Sequence, residues 1–144
     1  MQYRYLLLPL LALFFVAAAK KPPQATVRFH LQGNPVEGTP FVMEVKLLDG
    51  RGVYIKKIPE VSERDVAAIY PFPAADGSFG CAFQLDPHGR IALETFSLND
   101  RGKVLVCLYN GRVVTAMLID KPIKDGVIMV SSGFTPEDIA RLEK

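Results

Sequence analysis

The chain has no tryptophan and only two cysteines and two histidines among 144 residues, and neither sign of charge dominates. Seventeen basic residues against fifteen acidic ones leave a formal charge of +2, which lays no electrostatic footprint for a nucleic acid or an anionic membrane surface. The pairs Lys20, Lys21 and Lys56, Lys57 read as solvated surface. Cys81, Cys107, His30 and His88 follow no metal-ligand spacing, so neither a metal nor a cofactor is expected. No histidine stands in a recognisable arrangement with Ser131, Ser132 or a cysteine, so no catalytic residue is assigned and the chain reads as non-enzymatic. Internal repeats and low-complexity tracts are absent.

What is present begins with a leader. Arg4 precedes an apolar run, Leu6 to Val16, broken only by Pro9, and Ala17-Ala18-Ala19 precedes Lys20. The run is shorter than the ~20 residues a spanning helix needs and ends in small residues suited to signal peptidase. Residues 1–19 are therefore expected to be a signal peptide, removed after Ala19, with an uncleaved N-terminal anchor as the alternative and the only route to a membrane. The expected location is periplasmic or otherwise extracytoplasmic. Residues 20–24, with Pro22 and Pro23, form a stiff lead-in. The remainder, 25–144, is long enough for one domain and short for two.

Within that domain, Ala25–Gln32 and Phe41–Leu48 read as strands closed by Gly33-Asn34-Pro35 and Asp49-Gly50, and Val53–Ile58 as a further short strand. Alternation sets Phe41, Met43, Val45 and Leu47 on one face of the second strand. Ser62–Asp65 reads as a turn. Val66–Phe72 and Ser78–Leu85 form a hairpin weakened by Pro71, with Phe79, Cys81, Phe83 and Leu85 turned to the core. Asp86 and Pro87 open a helix: the carboxylate caps free amides and the proline sits where a missing N–H costs nothing. That helix should reach about Leu98 with Ile91, Ala92, Thr95 and Phe96 on one stripe.

Asn110-Gly111 between the apolar runs of Lys103–Ile119 predicts a two-residue type I′ hairpin, because both loop positions need positive φ. Such a loop pairs Cys107 with Val114 and Leu108 with Val113, and makes both faces apolar, so a second covering layer is required. Val127–Val130 reads as a short strand followed by a turn at Ser131-Ser132-Gly133-Phe134. Thr135 and Asp138 then frame an N1 proline in a capping-box pattern, starting a helix with Ile139 and Leu142 inward. An oxidising compartment would permit a disulfide between Cys81 and Cys107; the strand positions leave either that bridge or two buried thiols.

The order of these signals resembles the periplasmic head of the SecD family. Three segments carry the likeness: Phe83-Gln84-Leu85-Asp86-Pro87-His88-Gly89 at a strand-to-helix passage, Tyr109-Asn110-Gly111-Arg112-Val113-Val114 at a hairpin, and Gly133-Phe134-Thr135-Pro136-Glu137-Asp138 at the turn into a last helix. It spans residues 65–142; residues 25–60 have no counterpart. The resemblance implies an α+β fold, an antiparallel sheet with two helices packed on it, and contact with protein or extended polypeptide during export. It does not carry over the family's membrane-embedded, proton-driven segments. The expected function is thus a non-catalytic extracytoplasmic protein- or peptide-binding domain, with a structural subunit of a cell-envelope complex unrelated to translocation as the alternative.

Overall fold

The computed structural model describes residues 25–144; the expected cleavage site after Ala19 and the lead-in at 20–24 lie outside them. Among the described residues, nine strands and two α-helices build an α+β domain. Strands β1 (Val27–Leu31), β4 (Val61–Ser62), β7 (Val104–Tyr109) and β8 (Arg112–Leu118) form one antiparallel sheet in the order β4-β1-β7-β8. β5 (Val66–Pro73), β6 (Phe79–Leu85) and β9 (Val127–Phe134) form a second, ordered β5-β6-β9. β2 (Val42–Lys46) and β3 (Gly52–Lys56) pair as a separate hairpin. All pairings are antiparallel.

The main core lies between the first two sheets. Val27, Phe29 and Leu31 of β1 and Leu105, Cys107 and Tyr109 of β7 face Cys81, Phe83, Ile128 and Val130 of the other sheet. A chain of aromatic contacts stitches them: Phe29 to Phe83 at 5.5 Å, Phe83 to Phe134 at 6.0 Å and Phe134 to Tyr109 at 5.9 Å between ring centroids, the first and last edge-on. Edge-on geometry suits the ring quadrupoles and adds to the area buried. As the inward alternation predicts, Cys81, Phe83 and Leu85 are buried and Phe79 packs on the same cluster.

The outer face of β7 carries Val106 and Leu108, which Leu47 and Ile55 of the β2–β3 hairpin cover, with Met43, Val45 and Val53 at the margin. This is the second layer that the doubly apolar β7–β8 hairpin demanded. Phe41, expected on the covered face, is 63% exposed, and Val42 is buried instead. The strand begins at Val42, so alternation does not extend back to Phe41.

Helix α1 (Pro87–Asn99) starts at Asp86, whose carboxylate accepts from the Gly89 amide at 2.7 Å. Its buried stripe is Gly89, Leu93, Phe96 and Ser97, and Ile91 is 67% exposed, a rotation from the expected stripe. Gly89 explains it: a Cβ there would meet Asp65 at 2.8 Å and Leu85 at 3.1 Å, so only glycine lets this side press onto the β5–β6 end. Helix α2 (Pro136–Leu142) buries Ile139 and packs Leu142 at the core margin. No helix among the described residues is long and apolar enough to cross a membrane.

The β7–β8 loop has φ of +47° at Asn110 and +81° at Gly111, as type I′ requires. Leu108 pairs with Val113 as expected, but Cys107 pairs with Thr115 rather than Val114. A bulge leaves Val114 as the extra residue, buried in the core. β9 also differs from the expected element, running through Ser131 and Ser132 to Phe134, because Phe134 returns to pair with Phe79 beyond an irregularity. Pro71 and Pro73 are accommodated because β5 is an edge strand whose outer amides need no partner.

Candidate functional site

Two of the three motif segments converge at one pole. The Asn110 amide donates to the Thr26 carbonyl at 2.9 Å, and its side-chain oxygen accepts from the Thr26 amide at 2.8 Å, tying the hairpin loop to the start of β1. Next to it, Arg112 pairs with Asp138 at 2.6 Å and lies over the Tyr109 ring at 5.8 Å. The same Asp138 oxygen accepts from the Thr135 amide at 2.9 Å, while the Thr135 hydroxyl accepts from the Asp138 amide at 3.1 Å. Gly133 has φ +108°, and a Cβ there would lie 2.8 Å from the Val114 carbonyl oxygen, so glycine is required on both counts. Phe134 is fully buried. Asn110, Gly111, Gly133, Phe134 and Thr135 therefore form one architectural joint between the two sheets and α2.

Asp86 and Pro87 lie elsewhere, with Asp65 and His88. The Ser62 amide donates to Asp65 at 3.0 Å, closing a capping box around the 3-10 turn Glu63–Asp65, and His88 Nδ1 donates to the other Asp65 oxygen at 2.9 Å. That partnership raises the pKa of the exposed imidazole above its ordinary value. The pattern Ser62-x-x-Asp65 was the signal for this turn, a shortened version of the usual capping box. Ligand atoms of Asp65, Asp86 and His88 lie within 4.8 Å of one another. Each carboxylate already accepts a backbone amide, and the positive end of α1 opposes a cation there. The group closes a strand-to-helix joint.

Cys81 and Cys107 are free, buried thiols on β6 and β7, strands of different sheets rather than paired neighbours. Burial pushes them up to about 11 and about 12, so neither is a thiolate near neutrality. His30 is buried under the outer layer and Nδ1 donates to the Lys56 carbonyl at 2.8 Å. Desolvation lowers its pKa, outweighing the help of that hydrogen bond, and Arg28 lowers it further. His30 and His88 are thus held on separate elements, each by a local partner.

Surface features that sequence reading missed lie at the free strand edges. β4 has two residues, β5 carries Pro71 and Pro73, β8 is interrupted by the bulge at Val114, and the β2–β3 hairpin carries Glu44, Lys46 and Lys56. Proline, charge, bulges and shortness all blunt an edge against pairing. β9 has its own irregularity between Val130 and Phe134, but its first part, Val127–Val130, has none of these and, among the described residues, is hydrogen-bonded on one side, to β6. Thr115–Leu118 of β8, past the bulge, is likewise free of proline and charge. The eight-residue stretch from Val127 to Phe134, free of charge and proline, was the available signal. On the outer layer, Pro40, Phe41 and Ile58 line a groove of about 240 Å³ rimmed by Lys56, Lys57, Glu37 and Glu60.

An α+β domain with paired antiparallel sheets, two short helices and these joints defines the fold class. The fold is SecD-like. A solved structure of SecDF, a membrane component that enhances protein export, superposes with a TM-score of 0.57 at 17% identity, covering 83% of this chain and 61% of that one. SecDF in its super-membrane-facing form gives 0.59 at 19% identity, covering 83% of this chain and 18% of that one. This chain thus spans less than two thirds of either. No protein-family profile matches it, and no curated protein does.

Proposed function

We propose that this chain is a non-catalytic extracytoplasmic domain that holds extended polypeptide, in a role related to protein export. The observation that carries this reading is the open stretch of β9 edge at Val127–Val130, free of proline, charge and bulge and flanked on its sheet's outer face by the exposed Tyr70 and Met129. Unmet backbone groups at strand spacing are met by another extended backbone. Likeness in fold to a component that enhances protein export supports the same reading. Its test is binding of fluorescently labelled, reduced and carboxymethylated lactalbumin, which stays unfolded, against the native protein with the same label. Binding to the unfolded form alone, little changed by salt, is expected; equal binding to both, or to neither, rejects it.

A second reading, a structural subunit of an envelope complex, draws on Phe41 and Ile58, which are 63% and 80% exposed beside Pro40 on the outer layer. Exposed apolar patches of this kind suit a permanent partner. Under it, one stoichiometric protein co-purifies from the native envelope after a salt wash, and Phe41→Ser releases it.

A further inference from the structure

The register around β9 says how an extended segment would be held. The Leu85 amide donates to the Gly126 carbonyl at 2.9 Å. Bonded pairs alternate along an antiparallel ladder, so Phe83 with Ile128 and Cys81 with Val130 are the next bonded pairs. Val127 and Met129 then turn their backbone groups away from β6. An independent contact agrees: the Val127 amide is taken by the Asp125 side chain at 3.0 Å, on the free side. Met129 therefore offers an amide and a carbonyl outward, and Val127 a carbonyl. At the far end Gly133 meets β8, which limits the open stretch to the first part of the strand.

The side chains on the outer surface of this sheet continue to the same point. Tyr70 pairs with Ala82, and Ala82 with Met129, making one row across three strands. Tyr70 is 58% exposed and Met129 52%. The row ends in a flexible thioether that fits varied apolar neighbours. The row beside it ends less apolar, with Gln84 between Ala68 and Val127.

Building on the polypeptide-holding reading, we infer that an extended, uncharged segment adds to this sheet as a fourth strand beside β9, its main chain bonded to Met129 and an apolar side chain laid against the Tyr70–Ala82–Met129 row. Affinity comes from the main chain and selectivity from that one apolar position, so many sequences are accepted and a charged residue at that position is refused.

The test uses a labelled peptide of alternating valine and threonine, the same peptide N-methylated at alternate residues, and amide hydrogen exchange on the unmodified domain. Expected are slowed exchange at the Met129 amide on binding, a loss of at least tenfold in affinity on N-methylation, and a similar loss in Met129→Pro. Proline is tolerated at this position because the Met129 amide lies outside the β6 ladder; should the variant fail to fold, the exchange and N-methyl results on the wild type decide. Binding that survives both changes, with protection at Phe41 and Ile58 instead, overturns the edge while sparing the polypeptide reading. No binding of the peptide or of unfolded lactalbumin overturns both. Self-association of the wild type that Met129→Pro abolishes makes a second copy the occupant and overturns the inference.

Discussion

The two faces of β7 look alike in sequence, Leu105, Cys107 and Tyr109 on one and Val104, Val106 and Leu108 on the other, yet they are covered in different ways. Among the described residues, the inner face belongs to a cluster of eighteen buried side chains drawn from both large sheets and both helices, the outer to a cluster of four. The inner cover is joined by contiguous aromatic rings. The outer cover is a two-stranded hairpin held to β1 by a Gln32–Ile55 bridge, the Gly33 amide on the Tyr54 carbonyl at 2.9 Å, and His30 on the Lys56 carbonyl. An apolar face thus states that cover is needed, and leaves the thickness of the cover to elements distant in sequence. Stability should follow that difference, with the outer layer opening at lower cost than the domain.

Truncating Phe134 to alanine removes a ring that touches Phe83 and Tyr109 from opposite sheets, and should lower global stability by about 3–5 kcal/mol in denaturant titration. Ile55→Ala, at an equally buried position of the outer layer, should cost about 2–5 kcal/mol within that layer. Its signature should be local: amides of β2 and β3 lose exchange protection while those of β6 keep theirs. If both variants lower the global midpoint equally, the layers are one cooperative unit and the comparison fails.

A smaller effect is expected where only backbone is at stake. Nothing lies within 4 Å of a Cβ built on Gly111, so Gly111→Val should cost about 1–2 kcal/mol through its φ of +81° alone. An unchanged unfolding midpoint would reject the positive-φ loop. The smallest effect sharpens the comparison at the seam between the layers. His30 has a folded pKa below its ordinary 6.5. The unfolded chain therefore binds the proton first on acidification, and the stability from neutral His30, present above about pH 6.5, is lost as pH falls below it. His88 runs oppositely, its contribution present below 6.5 and lost as pH rises through its raised folded value. Comparing wild type with His30→Asn at pH 7.5 and 5 by thermal melts, the wild type should lose more stability on acidification. An equal loss in both would show that His30 does not hold the seam.

Much of the architecture was legible in the chain. Asp86-Pro87, Asn110-Gly111 and Thr135-Pro136-Glu137-Asp138 predict their caps and turn because each depends on atoms within four residues. The face of β6 follows from strict alternation. Three of the misreadings share one cause. Val114 became a bulge, the stripe of α1 rotated onto Gly89, and β9 ran on to Phe134, each because a distant segment made a close approach: Gly133 to Val114, Asp65 to Gly89, Phe79 to Phe134. Alternation and helical period assume an undisturbed repeat, and a long-range contact shifts the repeat by a residue or two.

The candidate edge divides in the same way. Composition made Val127–Phe134 free of proline and charge, and that is a property of the chain alone. Whether such a strand is an edge or an interior strand is not, since the same eight residues in the middle of a sheet would have both ladders filled. Sequence thus determined the local stops, caps, apolar faces and the need for a second layer, through interactions spanning a few residues. Tertiary structure decided which strands were left with one neighbour, which apolar row met the β9 edge, and which layer was thin, because those depend on pairings between segments tens of residues apart.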